Sequence, residues 1–321
     1  MISRVRSPIK NLTKLFHINT FEISYPSKVK IFEVGPRDGL QNEFFILETS
    51  FKIDMINKLV STGITNIEAT SFVSHKAIPQ FYDAENVIQS VKDIPDVNFS
   101  VLVPNIKGME KAVKNNVKEI AIFTSVSETF NKHNINCSID ESFVRFEPIM
   151  KIAQENNIRV RGYVSCIAGC PFQGSVKLTD IYNVTKRLLD IGVYEVSLGD
   201  TTGVGKPNQI AEILKYLIID NKIDNNQLAV HFHNTNGYAL QNIIVALQYG
   251  ITTIDSSIAG IGGCPYARTD NGHSIGNVST EAVVSLMNFL KIETGIDYNK
   301  LMKASSEIKN MISLNNIYHN I

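Results

Sequence analysis

From Val29 onward, short runs rich in β-branched residues alternate with longer stretches in which apolar residues recur at helical spacing. The strand candidates are 29–35, 66–70, 98–104, 119–125, 159–166, 194–200, 227–234 and 252–260. In 49–63, Phe51, Met55, Ile56, Leu59 and Val60 fall on one helical face, and Gly63 supplies the stop. Ser138 and Glu141 form a capping-box pattern ahead of Phe143, Phe146, Met150 and Ala153. Pro148 lies inside that helix and is expected to kink it or shorten its first part. Stretches 179–192 and 207–221 repeat the amphipathic pattern, and 298–315 reads as an additional terminal helix.

Eight strand–helix units in series predict an α/β fold with a parallel sheet, and their number suits a closed (β/α)8 TIM barrel followed by a C-terminal helical segment. The rival is a doubly wound open sheet, but no G-x-G-x-x-G follows the first strand, where a dinucleotide fingerprint would sit. With no internal linker or low-complexity tract, residues 29–321 read as a single catalytic domain. Thirty-one basic residues balance thirty-one acidic ones, which gives no support to a nucleic-acid or anionic-membrane partner. Charged or polar residues interrupt every apolar run before it reaches membrane-spanning length. Cys137, Cys166, Cys170 and Cys264 do not make a disulfide framework in a chain of 321 residues, and they point to a reducing compartment. Residues 1–28 read as a leader. Residues 1–20 carry Arg4, Arg6, Lys10 and Lys14, several hydroxyls and no acid, the composition of an organellar transit peptide. A basic extension without an address is the alternative.

A barrel places its chemistry at the carboxyl ends of its strands, and the unusual polar residues collect there. Arg37 and Asp38 end the first strand, Glu68 lies near the end of the second, Tyr163 on the fifth, and Asp200 ends the sixth. His231 and His233 sit near the end of the seventh, and Cys264 follows the eighth. Two histidines two apart on a strand leave the same face, and Asp38 is placed to complete a metal site with them across the barrel. Such ligands admit Mg, Mn or Zn; the alternative is a pair of hydrogen-bonded core histidines. Cys264 lies in the glycine-rich Gly260-Ile-Gly-Gly-Cys-Pro-Tyr-Ala267, where a thiol can act as proton donor or nucleophile. Cys166 and Cys170 form a lone C-x-x-x-C and read as small core or loop residues. Residues 203–207 read as an ordinary turn in preference to a phosphate contact, and Tyr163 taken alone reads as a packing residue.

Together, Gly-Pro-Arg37-Asp38-Gly-Leu-Gln-Asn42, Glu68–Ser71 with Phe-Val-Ser74, Gly162-Tyr-Val-Ser-Cys166, Ser197-Leu-Gly-Asp200-Thr, His231-x-His233 and Gly262-Gly-Cys-Pro-Tyr-Ala267 resemble the 3-hydroxy-3-methylglutaryl-CoA lyases, over about 29–280. The Arg-Asp and His-x-His pieces are shared by the wider DRE-TIM metallolyase superfamily, while the Gly-Gly-Cys-Pro-Tyr-Ala loop is more specific to the lyases. The resemblance implies cleavage of that acyl-CoA to acetyl-CoA and acetoacetate, as in ketogenesis and leucine breakdown. It implies Mg2+ or Mn2+ held by Asp38, His231, His233 and an asparagine after the eighth strand. Gly276-Asn277-Val-Ser-Thr-Glu281 reproduces the family's order at that asparagine, which favours Asn277 over Asn271. It further implies a catalytic set of Arg37, His231, Asp200, Glu68 and Cys264. In that set Arg37 stabilises the enolate, Cys264 donates a proton, and Glu68 and Asp200 shape the polar mouth. Arg37 and Tyr163 would contact the substrate. The leader's composition points to the mitochondrial matrix, with the cytoplasm as alternative, and a homodimer is the expected assembly. The chain departs from the family pattern at Asn234 and Asn236, in a loop about four residues longer after Cys264, and in lacking any cysteine beyond Cys264. The competing readings are a condensing synthase, a lyase for another 3-hydroxyacyl-CoA, and an inactive barrel retained for binding.

Overall fold

The computed structural model describes residues 25–43, 45–263 and 276–318. Eight parallel strands close into a barrel in sequence order: β1 (Lys30–Glu33), β2 (Asn66–Ser71), β3 (Asn98–Leu102), β4 (Glu119–Ser125), β5 (Arg159–Ser165), β6 (Glu195–Asp200), β7 (Leu228–Phe232) and β8 (Thr253–Ser256). Closure is made by β1 against β8, with Lys30 opposite Thr253 and Glu33 opposite Ser256. Each of the eight predicted strands is present. Most are one to five residues shorter than their apolar runs, because the ladder stops where the chain turns toward the mouth.

The surrounding helices are α1 (Thr49–Ser61), α2 (Ala84–Val91), α3 (Ile106–Lys114), α4 (Glu128–Ile135), α5 (Ile139–Glu155), α6 (Leu178–Asp190), α7 (Pro207–Leu214), α8 (Ala239–Gln248) and α9 (Thr280–Leu290), followed by the terminal α10 (Tyr298–Tyr318). Helix α7 runs on into a π-helical turn at Lys215–Asp220. The capping box at α5 is made: Ser138 Oγ accepts from the Glu141 amide at 3.0 Å, and Glu141 Oε2 accepts from the Ser138 amide at 2.7 Å. Contrary to the expected shortening, α5 continues unbroken past Pro148. The carbonyl that Pro148 leaves without a helical partner belongs to Val144, which is exposed, so water can satisfy it.

The main apolar core lies between the strands and the helices. Inside the barrel the apolar content is small, with Leu102, Ala121 and Tyr163 packed against Phe123. Barrel interiors are more often filled by branched aliphatic side chains. Here the space is taken by charged residues at alternate strand positions, Arg161, Glu195 and Asp255 among them, all buried. Among the described residues, no helix is long and apolar enough to cross a membrane.

Candidate active site

The site is built from the turn that follows β1. In the π-helical turn Gly35–Gly39, the amides of Arg37, Asp38 and Gly39 all donate to the Val34 carbonyl, at 3.1, 2.7 and 3.1 Å. Beneath it the buried Glu33 accepts from the Gly35 amide (2.8 Å), the Ile258 amide (2.8 Å) and the Thr280 hydroxyl (2.6 Å). One carboxylate therefore ties together the turn after β1, the segment after β8 and the start of α9. Burial pushes this carboxyl up to about 7, against the pull of its donors. The segment after β8 crosses the turn at close range. A Cβ on Gly262, whose φ is +89°, would sit 2.7 Å from the Asp38 carbonyl oxygen, so only glycine fits there.

Arg37 is buried and donates from Nε to Glu68 Oε2 (2.7 Å) and from Nη1 to Asp38 Oδ1 (2.8 Å). Its Nη2 makes no hydrogen bond among the described residues, and the side chain lines the main cavity. Burial works against its charge, but Glu68 and Asp38 outweigh it and hold the guanidinium firmly ionised. Glu68 also accepts from the Tyr163 hydroxyl at 3.0 Å. Burial raises the Glu68 carboxyl, with Arg37 opposing.

Asp38 reaches in the other direction. Its Oδ2 accepts from Asn277 Nδ2 at 2.7 Å and lies 3.8 Å from His231 Nε2. Burial works against its ionisation, yet Arg37 and the two imidazoles draw it down to about 2. His231 Nε2 and His233 Nε2 are 3.3 Å apart. One ligand atom from each of Asp38, His231 and His233 lies within 4.8 Å of the others. Burial, then the neighbouring His231, lowers the His233 imidazole to about 4, so it stands neutral.

Asp200 is buried at the end of β6, and the turn after it folds back on its carboxylate, with the Gly205 amide donating to Oδ2 at 2.9 Å. The 203–207 turn thus holds the chain's own carboxylate. Burial raises Asp200 to about 6. Cys166 and Cys170 are buried, the latter accepting from Ser127 Oγ at 3.0 Å. Cys264 and Asn271 lie outside the described residues. The edge of their loop is fixed, because Asn42 Nδ2 donates to the Gly263 carbonyl.

A ladder of charge runs below the mouth, and the sequence reading did not single out its members. Lys30 Nζ bonds Glu195 Oε2 (2.8 Å), Arg161 Nε bonds Glu195 Oε1 (2.8 Å), and Arg161 Nη2 bonds Asp255 Oδ1 (2.7 Å). Their signal was present as charges spaced by two within otherwise apolar strands, as in Arg159-Val-Arg161-Gly-Tyr163. Counting this ladder with the residues above it, three cations (Lys30, Arg37, Arg161) face four carboxylates (Asp38, Glu68, Glu195, Asp255). The excess of carboxylates and the two adjacent imidazoles fit a divalent cation, for which carboxylate, imidazole and amide oxygen are suitable ligands.

The cluster opens into a cavity of about 870 Å³. Arg37, Asp38, His231 and His233 form one wall, and Val73, Ile78, Leu102, Ile106, Phe123 and Phe130 an apolar one. Such a space suits a substrate with a small polar reacting end and a long, largely apolar arm.

The HMGL-like family model matches residues 28–308. The chain is 50% identical to a 3-hydroxy-3-methylglutaryl-CoA lyase, cytoplasmic, of Danio rerio, over 88% of this chain and 83% of that protein. It is 48% identical to a hydroxymethylglutaryl-CoA lyase, mitochondrial, of Homo sapiens, over 88% of this chain and 85% of that protein. Among solved structures, an HMG-CoA lyase of Acinetobacter baumannii in complex with coenzyme A and 3-methylmalate superposes with a TM-score of 0.84 at 35% identity, covering 90% of this chain and 93% of that one.

Proposed function

The chain belongs to the HMGL-like family, and from that premise we propose that it is a metal-dependent lyase that cleaves 3-hydroxy-3-methylglutaryl-CoA into acetyl-CoA and acetoacetate. The observation that carries this reading is the convergence of Arg37, Asp38, His231 and His233 on one wall of the cavity, with Arg37 held between two carboxylates.

Asp38, His231, His233 and Asn277 would hold Mg2+ or Mn2+. When bound, such an ion supplies Lewis-acid chemistry that lowers the pKa of the C3 hydroxyl and fixes its geometry. The hydroxyl proton passes to water in the cavity, the O–H electron pair closes the C3 carbonyl, and the C2–C3 bond breaks. C3 becomes the ketone of acetoacetate, and the bond pair becomes the enolate of the thioester. Arg37 faces that developing charge with a guanidinium that stays ionised at any working pH. Cys264 then delivers a proton to carbon to complete acetyl-CoA. Glu68 acts through Arg37 and Tyr163, which it orients, and Asp200 acts by holding the turn after β6. The apolar wall suits the pantetheine arm, with Tyr163 beside the acyl end.

Product analysis tests the reading. Incubation with 3-hydroxy-3-methylglutaryl-CoA should give acetyl-CoA and acetoacetate in equal amounts. A chain that instead condenses acetyl-CoA with a keto acid is a synthase.

Residues 29–321 are read as one catalytic domain and 1–28 as a leader that directs the enzyme to the mitochondrial matrix. A reporter fused to residues 1–28 that stays in the cytoplasm would favour the cytoplasmic alternative. A homodimer is part of the same reading, with Phe289 on α9, 83% exposed, as a contact available to a second copy.

A further inference from the structure

We propose that Asp255 is the positioning residue for His231: it serves as acceptor for the Nδ1–H of that imidazole, which keeps its proton there, so that the Nε2 lone pair faces the cation cluster, and Arg161 clamps it for this purpose. The inference rests on reading Asp38, His231 and His233 as a cation site.

Register places the pair together. His231 stands opposite Asp255 in the β7–β8 ladder, so both side chains leave the same inner face of the barrel. His231 Nδ1 lies 3.4 Å from Asp255 Oδ2, a long contact, and Nδ1 has no hydrogen-bond partner among the described residues. Asp255 is therefore the acceptor on offer to that nitrogen. Contacts of this kind often tighten only when a site is loaded.

Asp255 has little freedom to turn away. It is 1% exposed. Arg161 grips it with both ends of the guanidinium, Nη2 to Oδ1 at 2.7 Å and Nη1 to Oδ2 at 3.1 Å, and Ser197 Oγ donates to Oδ2 at 2.7 Å. Arg161 is in turn fixed by Glu195, which also accepts from Lys30 Nζ and Thr253 Oγ1, each at 2.8 Å. The two-pronged clamp sets orientation as well as charge. It also lowers the basicity of the carboxylate, leaving the shared proton on the imidazole. A neutral imidazole with its proton on Nδ1 offers an unprotonated Nε2. The opposite tautomer would aim an N–H at Asp38 and His233 and could not ligate.

The test uses the full-length protein and Mn2+ as probe. In metal-free wild type labelled with 15N-histidine, the His231 signal, assigned by its loss in His231→Gln, should show a protonated Nδ1 and an unprotonated Nε2. Asp255→Asn should weaken Mn2+ binding, read by calorimetry or by the electron paramagnetic resonance of free Mn2+, by roughly 10- to 100-fold. If the substitution does not fold, the wild-type tautomer decides alone. A proton found on Nε2 overturns the inference, as does a folded Asp255→Asn that binds Mn2+ as tightly as wild type. A wild type that binds no Mn2+ removes the cation reading and the inference together, whereas the first two results remove only the role of Asp255.

Discussion

Arg37 Nε donates to Glu68 Oε2 at 2.7 Å, joining the turn after β1 to the middle of the neighbouring strand. Together with the Asp38 contact, it fixes the plane of the guanidinium and leaves Nη2 free of the described residues. Lysine has one nitrogen and no planar fork, so it cannot satisfy Glu68 and Asp38 and also face a substrate in the same geometry.

Arg37→Lys is therefore expected to lower kcat by at least about 100-fold with KM nearly unchanged, since in the proposed reaction Arg37 faces charge present only in the transition state. Steady-state kinetics of acetyl-CoA release check this. A variant that raises KM and spares kcat would make Arg37 a binding group.

Glu33 gives a pH signature in stability. Burial raises its carboxyl from the ordinary 4.5 to about 7, so between those values the folded chain holds a proton that the unfolded chain has lost. Folding takes up that proton. The associated stability is full below about pH 4.5, falls as pH rises toward 7, and then levels off; the loss is of order 3 kcal/mol. Glu33→Gln imitates the protonated form: its oxygen accepts from Gly35 and Ile258, and its amide donates to Thr280, whose hydroxyl can turn to Ser256 Oγ, 2.8 Å away. Denaturant unfolding from pH 5 to 8 should show the wild type losing stability relative to Glu33→Gln. Parallel curves would mean that Glu33 stays ionised in the folded protein.

Asn277 is expected to be the fourth ligand. It is anchored beside α9 and bonded to Asp38, so Asn277→Ala should weaken Mn2+ binding at least about tenfold, on the scale that contacts around metal sites command. Asn271→Ala should leave binding unchanged. The reverse pattern would shift the ligand into the inserted loop.

The strands and helices were legible because each buries one stripe or one run, and periodicity reports that directly. The His231–His233 pair was legible because residues two apart in extended chain share a face, which holds although β7 ends at Phe232 and His233 lies one residue beyond it. Asp255 and Arg161 were not, since their partnership spans 94 positions and exists only once the barrel closes. Glu33 was hidden for the same reason: its partners Ile258 and Thr280 lie 225 and 247 positions away. The turn at 203–207 carries a composition suited to anions, and only the fold reveals that its anion is Asp200.

The most direct test of the central claim is acetyl-CoA release from 3-hydroxy-3-methylglutaryl-CoA by one preparation before chelation, after exhaustive removal of divalent cations, and after adding back Mg2+ or Mn2+. The expected result is turnover that disappears on removal and returns with either ion. Turnover that persists in the stripped protein would contradict the account and leave His231 and His233 as packing residues.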